Sequence, residues 1–132
     1  MKILLDTHAL IWWLAGNKRL PKVVRSCIGD ESNPVFVSAA SAWEIATKYR
    51  LGRLPGAAVF ALDPARALAD QGFEELPISF EAGTQAGLLP GPVRDPFDRM
   101  LIAQAMLHDL VLISNEVQFD GYGIRRHWRC VY

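Results

Sequence analysis

Arg94-Asp95-Pro96-Phe97-Asp98-Arg99-Met100-Leu101-Ile102-Ala103-Gln104-Ala105 sets two carboxylates and two guanidinium groups into its first six residues, then runs into the most apolar helical stretch of the chain. A helix with so little polar surface has to be buried. Burial pins its first turn against the core and leaves the acids at the rim of the fold. Asp95 suits the N-cap, Pro96 the first helical position, and Asp98 the third, where a carboxylate favours the helix dipole. Capping alone therefore accounts for both acids, and a binding role requires further acids at the same place. The helix is expected to end near Asp109, where Leu110-Val111-Leu112-Ile113 begins the clearest strand in the sequence.

Outward from this unit the chain alternates short apolar runs with helical segments. Met1 to Leu5 reads as a buried strand ending at Asp6-Thr7, and Ala9 to Leu14 as a helix stopped by Gly16-Asn17. Lys18 to Ile28 has helical spacing with Lys18, Lys22 and Arg25 on one face, and Gly29 to Pro34 is a turn. Val35-Phe36-Val37 is a second strand, and Ser38 to Leu51 a helix closed by Gly52. Arg53 to Gly56 is loop, Asp63-Pro64 opens a helix to Gly72, Glu75 to Ile78 is a weak strand, and Ser79 to Leu89 a short helix. Ser114 to Gly123 reads as a polar loop, and Trp128 to Tyr132 as a last strand. Short apolar strands alternating with helices predict a parallel α/β sheet covered by helices on both faces.

A chain of 132 residues predicts one domain, residues 1–132, with a core that needs no staples. Fourteen basic and fourteen acidic side chains cancel, so net charge neither favours nor excludes a nucleic-acid partner. No apolar run approaches the ~18 residues of a membrane span, and the apolar N-terminus is broken at Asp6, so neither a membrane nor export is expected and the location is cytoplasmic. Cys27 and Cys130 are far apart, and His8, His108 and His127 are scattered, which leaves no zinc-type spacing.

In a parallel sheet, strand C-termini and helix N-termini share the edge where ligands bind. Asp6 ends the first strand, Glu44 lies in the first turns of the helix after the second, Asp95 and Asp98 begin theirs, and Glu116 follows the Leu110 to Ile113 strand. Each acid has an ordinary role open to it. Asp6 suits an N-cap, Ser41-Ala42-Trp43-Glu44 has the form of a capping box, and Glu116 sits in a polar loop. Together they repel unless a cation neutralises them. Ligation by oxygen alone points to a hard divalent ion, Mg²⁺ or Mn²⁺, of the kind that activates water for phosphodiester cleavage. A glycosidase needs only two acids, and Asp6-Thr7-His8 lacks the second acid of a phosphatase pair. Thr7, Ser38 and Ser114 adjoin the acids as hydrogen-bonding groups or as caps. Arg94 and Arg99 can hold a phosphate or pair with Asp95 and Asp98. Lys18, Arg19, Lys22 and Arg25, with Lys48, Arg50 and Arg53, suit a nucleic-acid backbone or a solvated helix face, and Trp12, Trp13 and Trp43 read as core or interface.

Leu4-Leu5-Asp6-Thr7-His8-Ala9-Leu10-Ile11-Trp12-Trp13, Ser38-Ala39-Ala40-Ser41-Ala42-Trp43-Glu44-Ile45, Asp95-Pro96-Phe97-Asp98-Arg99-Met100-Leu101 and Leu112-Ile113-Ser114-Asn115-Glu116 resemble, in order and spacing, the PIN-domain ribonucleases, specifically the VapC-like toxins of prokaryotic type II toxin–antitoxin pairs. The resemblance implies a three-layer α/β/α sandwich and Mg²⁺-dependent endoribonuclease activity on structured RNA such as tRNA or rRNA. It also implies a small cognate antitoxin that blocks the acids. Metal ligands map onto Asp6, Glu44 and Asp98, with Glu44 orienting the attacking water, and Asp95 is accessory with Thr7, Ser114 and Arg99. Glu116 stands where the family usually has Asp; one methylene longer, it puts a second metal in question. An antitoxin helix needs an apolar groove, which the Trp and Leu of the first third of the chain can supply, as they can a homodimer face. A metal-dependent DNA nuclease and a catalytically silent module that docks a basic peptide are the other readings.

Overall fold

The computed structural model describes residues 1–129. Among the described residues five strands, β1 (Ile3–Leu5), β2 (Val35–Ser38), β3 (Glu74–Leu76), β4 (Val111–Ile113) and β5 (Arg126–His127), form one sheet in the order β3-β2-β1-β4-β5, with every pairing parallel. Parallel strands cannot be joined by hairpins, so each connection carries helix. The helices are α1 (Thr7–Ala15), α2 (Lys22–Gly29), α3 (Ala39–Arg50), α4 (Ala58–Leu62), α5 (Pro64–Gln71), α6 (Phe80–Leu88) and α7 (Pro96–His108). From β1 the chain steps to β2 and β3 on one side, then to β4 and β5 on the other. The reversal falls between β1 and β4, the position where such sheets open a crevice at their C-terminal edge.

Strand alternation builds the two covered faces. Ile3, Leu5, Val35 and Val37 point into one apolar cluster with Leu10, Val24, Ile28, Phe60 and Leu68, whereas Leu4 and Leu112 point into a second with Leu101, Ile102, Ala105 and Phe119. The expected α/β/α sandwich follows from this division. Residues Leu101 to Ala105 of α7 are all buried, Gln104 included, whose Nε2 donates to the carbonyl of Pro77.

Five features depart from expectation. The second helix starts at Lys22, not Lys18, because Pro21 disfavours a helical residue before it and so sets the boundary. The capping box at Ser41 is not formed. Ser38 caps α3 by accepting from the amide of Ala40, and Ser41 lies inside the helix, where its Oγ accepts from Thr7 Oγ1 at 3.0 Å. Residues between Gly56 and Asp63 add the short α4, stabilised by burial of Phe60 rather than by any start signal. The loop after β4 winds into a 3₁₀ segment, Val117–Tyr122, around the fully buried Phe119. The last described strand is Arg126–His127, ahead of the expected Trp128 to Tyr132, of which residues 130–132 lie outside the described residues.

The loop before α7 is held by Tyr122, whose hydroxyl accepts from the amide of Val93 at 3.0 Å. Gly91 has φ +99°, and a Cβ there would lie 2.6 Å from the Tyr122 hydroxyl oxygen, so both its conformation and its neighbour require glycine. Among the described residues no helix is long and apolar enough to cross a membrane.

Candidate functional site

Asp6 leaves the end of β1 and caps α1. Its amide donates to the carbonyl of Ile113 on β4, and its Oδ1 accepts from the amide of Ala9 at 2.7 Å. Across the strand boundary the Ser114 side chain hydrogen-bonds the same carboxylate, and Ser114 Oγ also accepts from the amide of Glu116 at 3.1 Å. Asp6 is 5% exposed. Burial raises its pKa, and the repulsion of Glu116 adds to that; the Ser114 and Ala9 hydrogen bonds and the nearby His8 pull the other way.

Asp98 stands in the first turn of α7, and its amide donates to Oδ1 of the N-cap Asp95 at 3.0 Å. Burial pushes its carboxyl up to about 7, followed by the charges of Asp95, Glu44, Asp6 and Glu116. Coulombic repulsion fades with distance and with intervening water. Four acids from three other segments and its own helix cap therefore register on Asp98 because they surround one spot. Every acid expected at the rim is there, whatever its capping duties.

The neighbours sort less simply. Thr7 donates its hydroxyl hydrogen to Ser41 Oγ and so ties α1 to α3. Ser38 is a cap. Arg99 neither pairs with Asp95 or Asp98 nor offers itself to a phosphate. Its Nε donates to the carbonyl of Ala86 (2.9 Å), Nη1 to Val93 (2.7 Å), and Nη2 to Leu89 (2.5 Å) and Gly87 (3.3 Å). The C-terminal carbonyls of α6 lack helical partners, and Arg99 supplies them. Among the basic clusters, Arg25 is committed to the carbonyls of Asn17 and Leu20, and Arg19 lies over Trp12.

Two side chains at the site escaped the sequence reading. Lys48, grouped there with surface cations, is the partner of Glu44, Nζ to Oε2 at 2.6 Å; the i,i+4 spacing was the available signal. Arg126 grips Asp120 with Nε and Nη2 at 2.8 and 3.0 Å while Nη1 donates to the Ser114 carbonyl at 2.9 Å. It fixes the loop that carries Ser114 and Glu116, and holds the Asp120 carboxyl below its usual range. No local pattern links those three positions.

Among the described residues no three His, Cys, Asp or Glu side chains close into a ready-made metal cage. Repulsion spreads the acids, and Glu44 is drawn toward Lys48. The donor set still fits a hard divalent cation. It is all oxygen and mostly anionic, and burial, followed by the repulsion of the other acids, pushes the Asp98 carboxyl up to about 7.

Apolar surface flanks the rim. Trp43, next in sequence to Glu44, is 64% exposed and meets Phe97, next to Asp98, edge-on at 5.0 Å. The two rings line a cavity of about 240 Å³ with Ile78, Gly83, Gly87 and Met100, beside Phe80, which is 98% exposed. A second groove of about 200 Å³ runs between α1 and α4, lined by Ile11, Leu14, Ala57 and Val59. Trp12 and Trp13, by contrast, are half-buried against Trp128 and Phe73.

The family described as PIN domain matches residues 3–124. Over 31 residues the chain is 58% identical to ribonuclease VapC16 of Mycobacterium tuberculosis, a match spanning 24% of this chain and 22% of that protein. In fold it is similar to VapBC2 from Rickettsia felis, solved bound to a DNA fragment from its promoter. There the TM-score is 0.69 and the identity 14%, with 96% of this chain and 98% of that one covered. It is also similar to Mycobacterium tuberculosis VapC20, a sarcin–ricin loop cleaving toxin, with a TM-score of 0.67 and 16% identity over 92% of this chain and 95% of the other.

Proposed function

The chain belongs to the PIN-domain family, and on that premise we propose that it is a metal-dependent endoribonuclease, the toxin of a toxin–antitoxin pair, hydrolysing phosphodiester bonds in RNA of the tRNA or rRNA kind in the cytoplasm. The carrying observation is that Asp98 feels the charges of Asp6, Glu44, Asp95 and Glu116 at one edge of the sheet. The short identity with a ribonuclease supports RNA over DNA.

Asp6, Glu44 and Asp98 would hold Mg²⁺ or Mn²⁺, which when bound supplies a Lewis acid and an activated water. Ser114 keeps the Asp6 carboxylate in one orientation, and Asp95 and the α7 amides do the same for the backbone of Asp98. Glu44 accepts a hydrogen bond from the attacking water and aims its lone pair at phosphorus. As the water oxygen bonds to phosphorus, the bond to the departing ribose oxygen breaks; the water proton passes through Glu44 to solvent, and the ribose oxygen leaves as a hydroxyl on taking a proton from solvent. Glu116, exposed on its loop, adds negative charge at the rim.

The test is one gel. The purified chain is given RNA and DNA of the same sequence, with Mg²⁺, with Mn²⁺ and with chelator. Cleavage of RNA only, lost with chelator and in Asp6→Asn, is expected; undiminished cleavage by Asp6→Asn refutes the site. Equal cleavage of DNA favours the DNA-nuclease reading, and tight binding of a basic partner without turnover favours the silent module. Adding the product of the adjacent reading frame, the expected antitoxin, is expected to stop the reaction.

An amphipathic antitoxin helix is proposed to lie in the α1–α4 groove, where Val59 stands 79% exposed. The Phe80, Trp43 and Phe97 face is proposed to pair with a second copy, since so large an aromatic patch in water is costly. Phe80→Glu is expected to convert a dimer to monomer by light scattering; a monomeric wild type sinks that assignment.

A further inference from the structure

We infer that Lys48 is the resident counter-ion of this site: its ammonium holds the Glu44 carboxylate in place and competes with the divalent cation for it. The inference rests on the proposed reading that Asp6, Glu44 and Asp98 hold such a cation. Glu44 is 5% exposed, and its charge bears on Asp98 together with those of Asp6, Asp95 and Glu116. A carboxylate so placed needs a positive partner, because the desolvation it suffers is not repaid by water. Lys48 is one helical turn further along α3, its Nζ 2.6 Å from Glu44 Oε2, with the lysine side chain 32% exposed and the glutamate 7%.

An i,i+4 pair on an exposed helix face contributes little. This one differs because one partner is buried among like charges and the other reaches it from the solvent side. An ammonium and a divalent cation seek the same carboxylate oxygens and repel each other. For Glu44 to turn to a cation, Nζ has to leave. Its four-carbon stem lets it do so without moving α3. Lys48 is thus a positioning residue. It neutralises and holds the Glu44 carboxylate while no cation is present, and it sets how tightly a cation is held.

The experiment titrates Mn²⁺ into the full chain without RNA, read by electron paramagnetic resonance of free Mn²⁺ and by calorimetry, for wild type, Lys48→Met, Lys48→Gln and Lys48→Arg. Both neutral variants are expected to bind Mn²⁺ about tenfold more tightly, and the arginine variant to match wild type within about twofold. In chelator the neutral variants are expected to melt below wild type, with the difference closing as Mn²⁺ is added. Neutral variants that bind Mn²⁺ no more tightly than wild type overturn the inference and leave the metal site standing. Absence of Mn²⁺ binding in every protein overturns both the metal reading and this one.

Discussion

Asp98→Asn is expected to abolish RNA cleavage, by at least about a thousandfold, while making the metal-free protein more stable at neutral pH. The activity loss follows from removing a ligand that contributes several kcal/mol of charge stabilisation, each ~1.4 kcal/mol being tenfold in rate. The stability gain has the opposite origin. A carboxylate at this position of α7 gains roughly 0.3–1 kcal/mol from the helix dipole. Burial and four neighbouring acids outweigh that, since they push the group from 3.8 to about 7 rather than down. Below pH 3.8 both folded and unfolded chains hold the proton, and the group has no effect on stability. Between 3.8 and about 7 only the folded chain keeps it, so stability falls as pH rises through that window, and above about 7 the loss is complete. In chelator, Asp98→Asn is therefore expected to raise the melting temperature over wild type at pH 8 and to lose most of that advantage at pH 4. A variant less stable than wild type at pH 8 would show that Asp98 is a cap and not a member of a crowded site.

Arg99→Ala is expected to cost about 3 kcal/mol without touching the chemistry. Hydrogen bonds from a charged donor contribute roughly 1.5–3 kcal/mol each, and not additively. Arg99 makes four of them, to the carbonyls of Ala86, Gly87, Leu89 and Val93, and three of those carbonyls close the end of α6 or the turn after it. With m near 2 kcal/mol/M the urea midpoint is expected to drop by about 1–2 M. Arg99→Lys is expected to recover less than half, because an ammonium cannot span acceptors laid out for a planar fork. Were Arg99 instead a phosphate contact, urea would find little change and KM for RNA would rise. That contrast separates the two roles in one pair of measurements.

The sequence places the acids well and their neighbours poorly, for a reason visible in α3 and α7. Asp6, Glu44, Asp98 and Glu116 each follow a strand or open a helix, and a parallel sheet gathers all such ends on one edge. What each hydroxyl or guanidinium then grips depends on contacts remote in sequence, as Thr7 with Ser41, 34 residues on, shows. The capping-box pattern at Ser41 misled because Ser38 reaches a free amide first, and α4 was missed because a buried Phe60, not a start signal, makes it helical.

By itself, the order of short apolar strands and capped helices determined the parallel α/β architecture and the segments that carry charge, since these depend on local spacing and on the rule that parallel strands need helical crossovers. Only the tertiary structure decided which cations answer those acids. Arg99 was diverted to backbone carbonyls, and burial of Glu44 made a local i,i+4 spacing into its ion pair with Lys48, because hydrogen-bond satisfaction in a packed interior depends on which groups burial leaves without water.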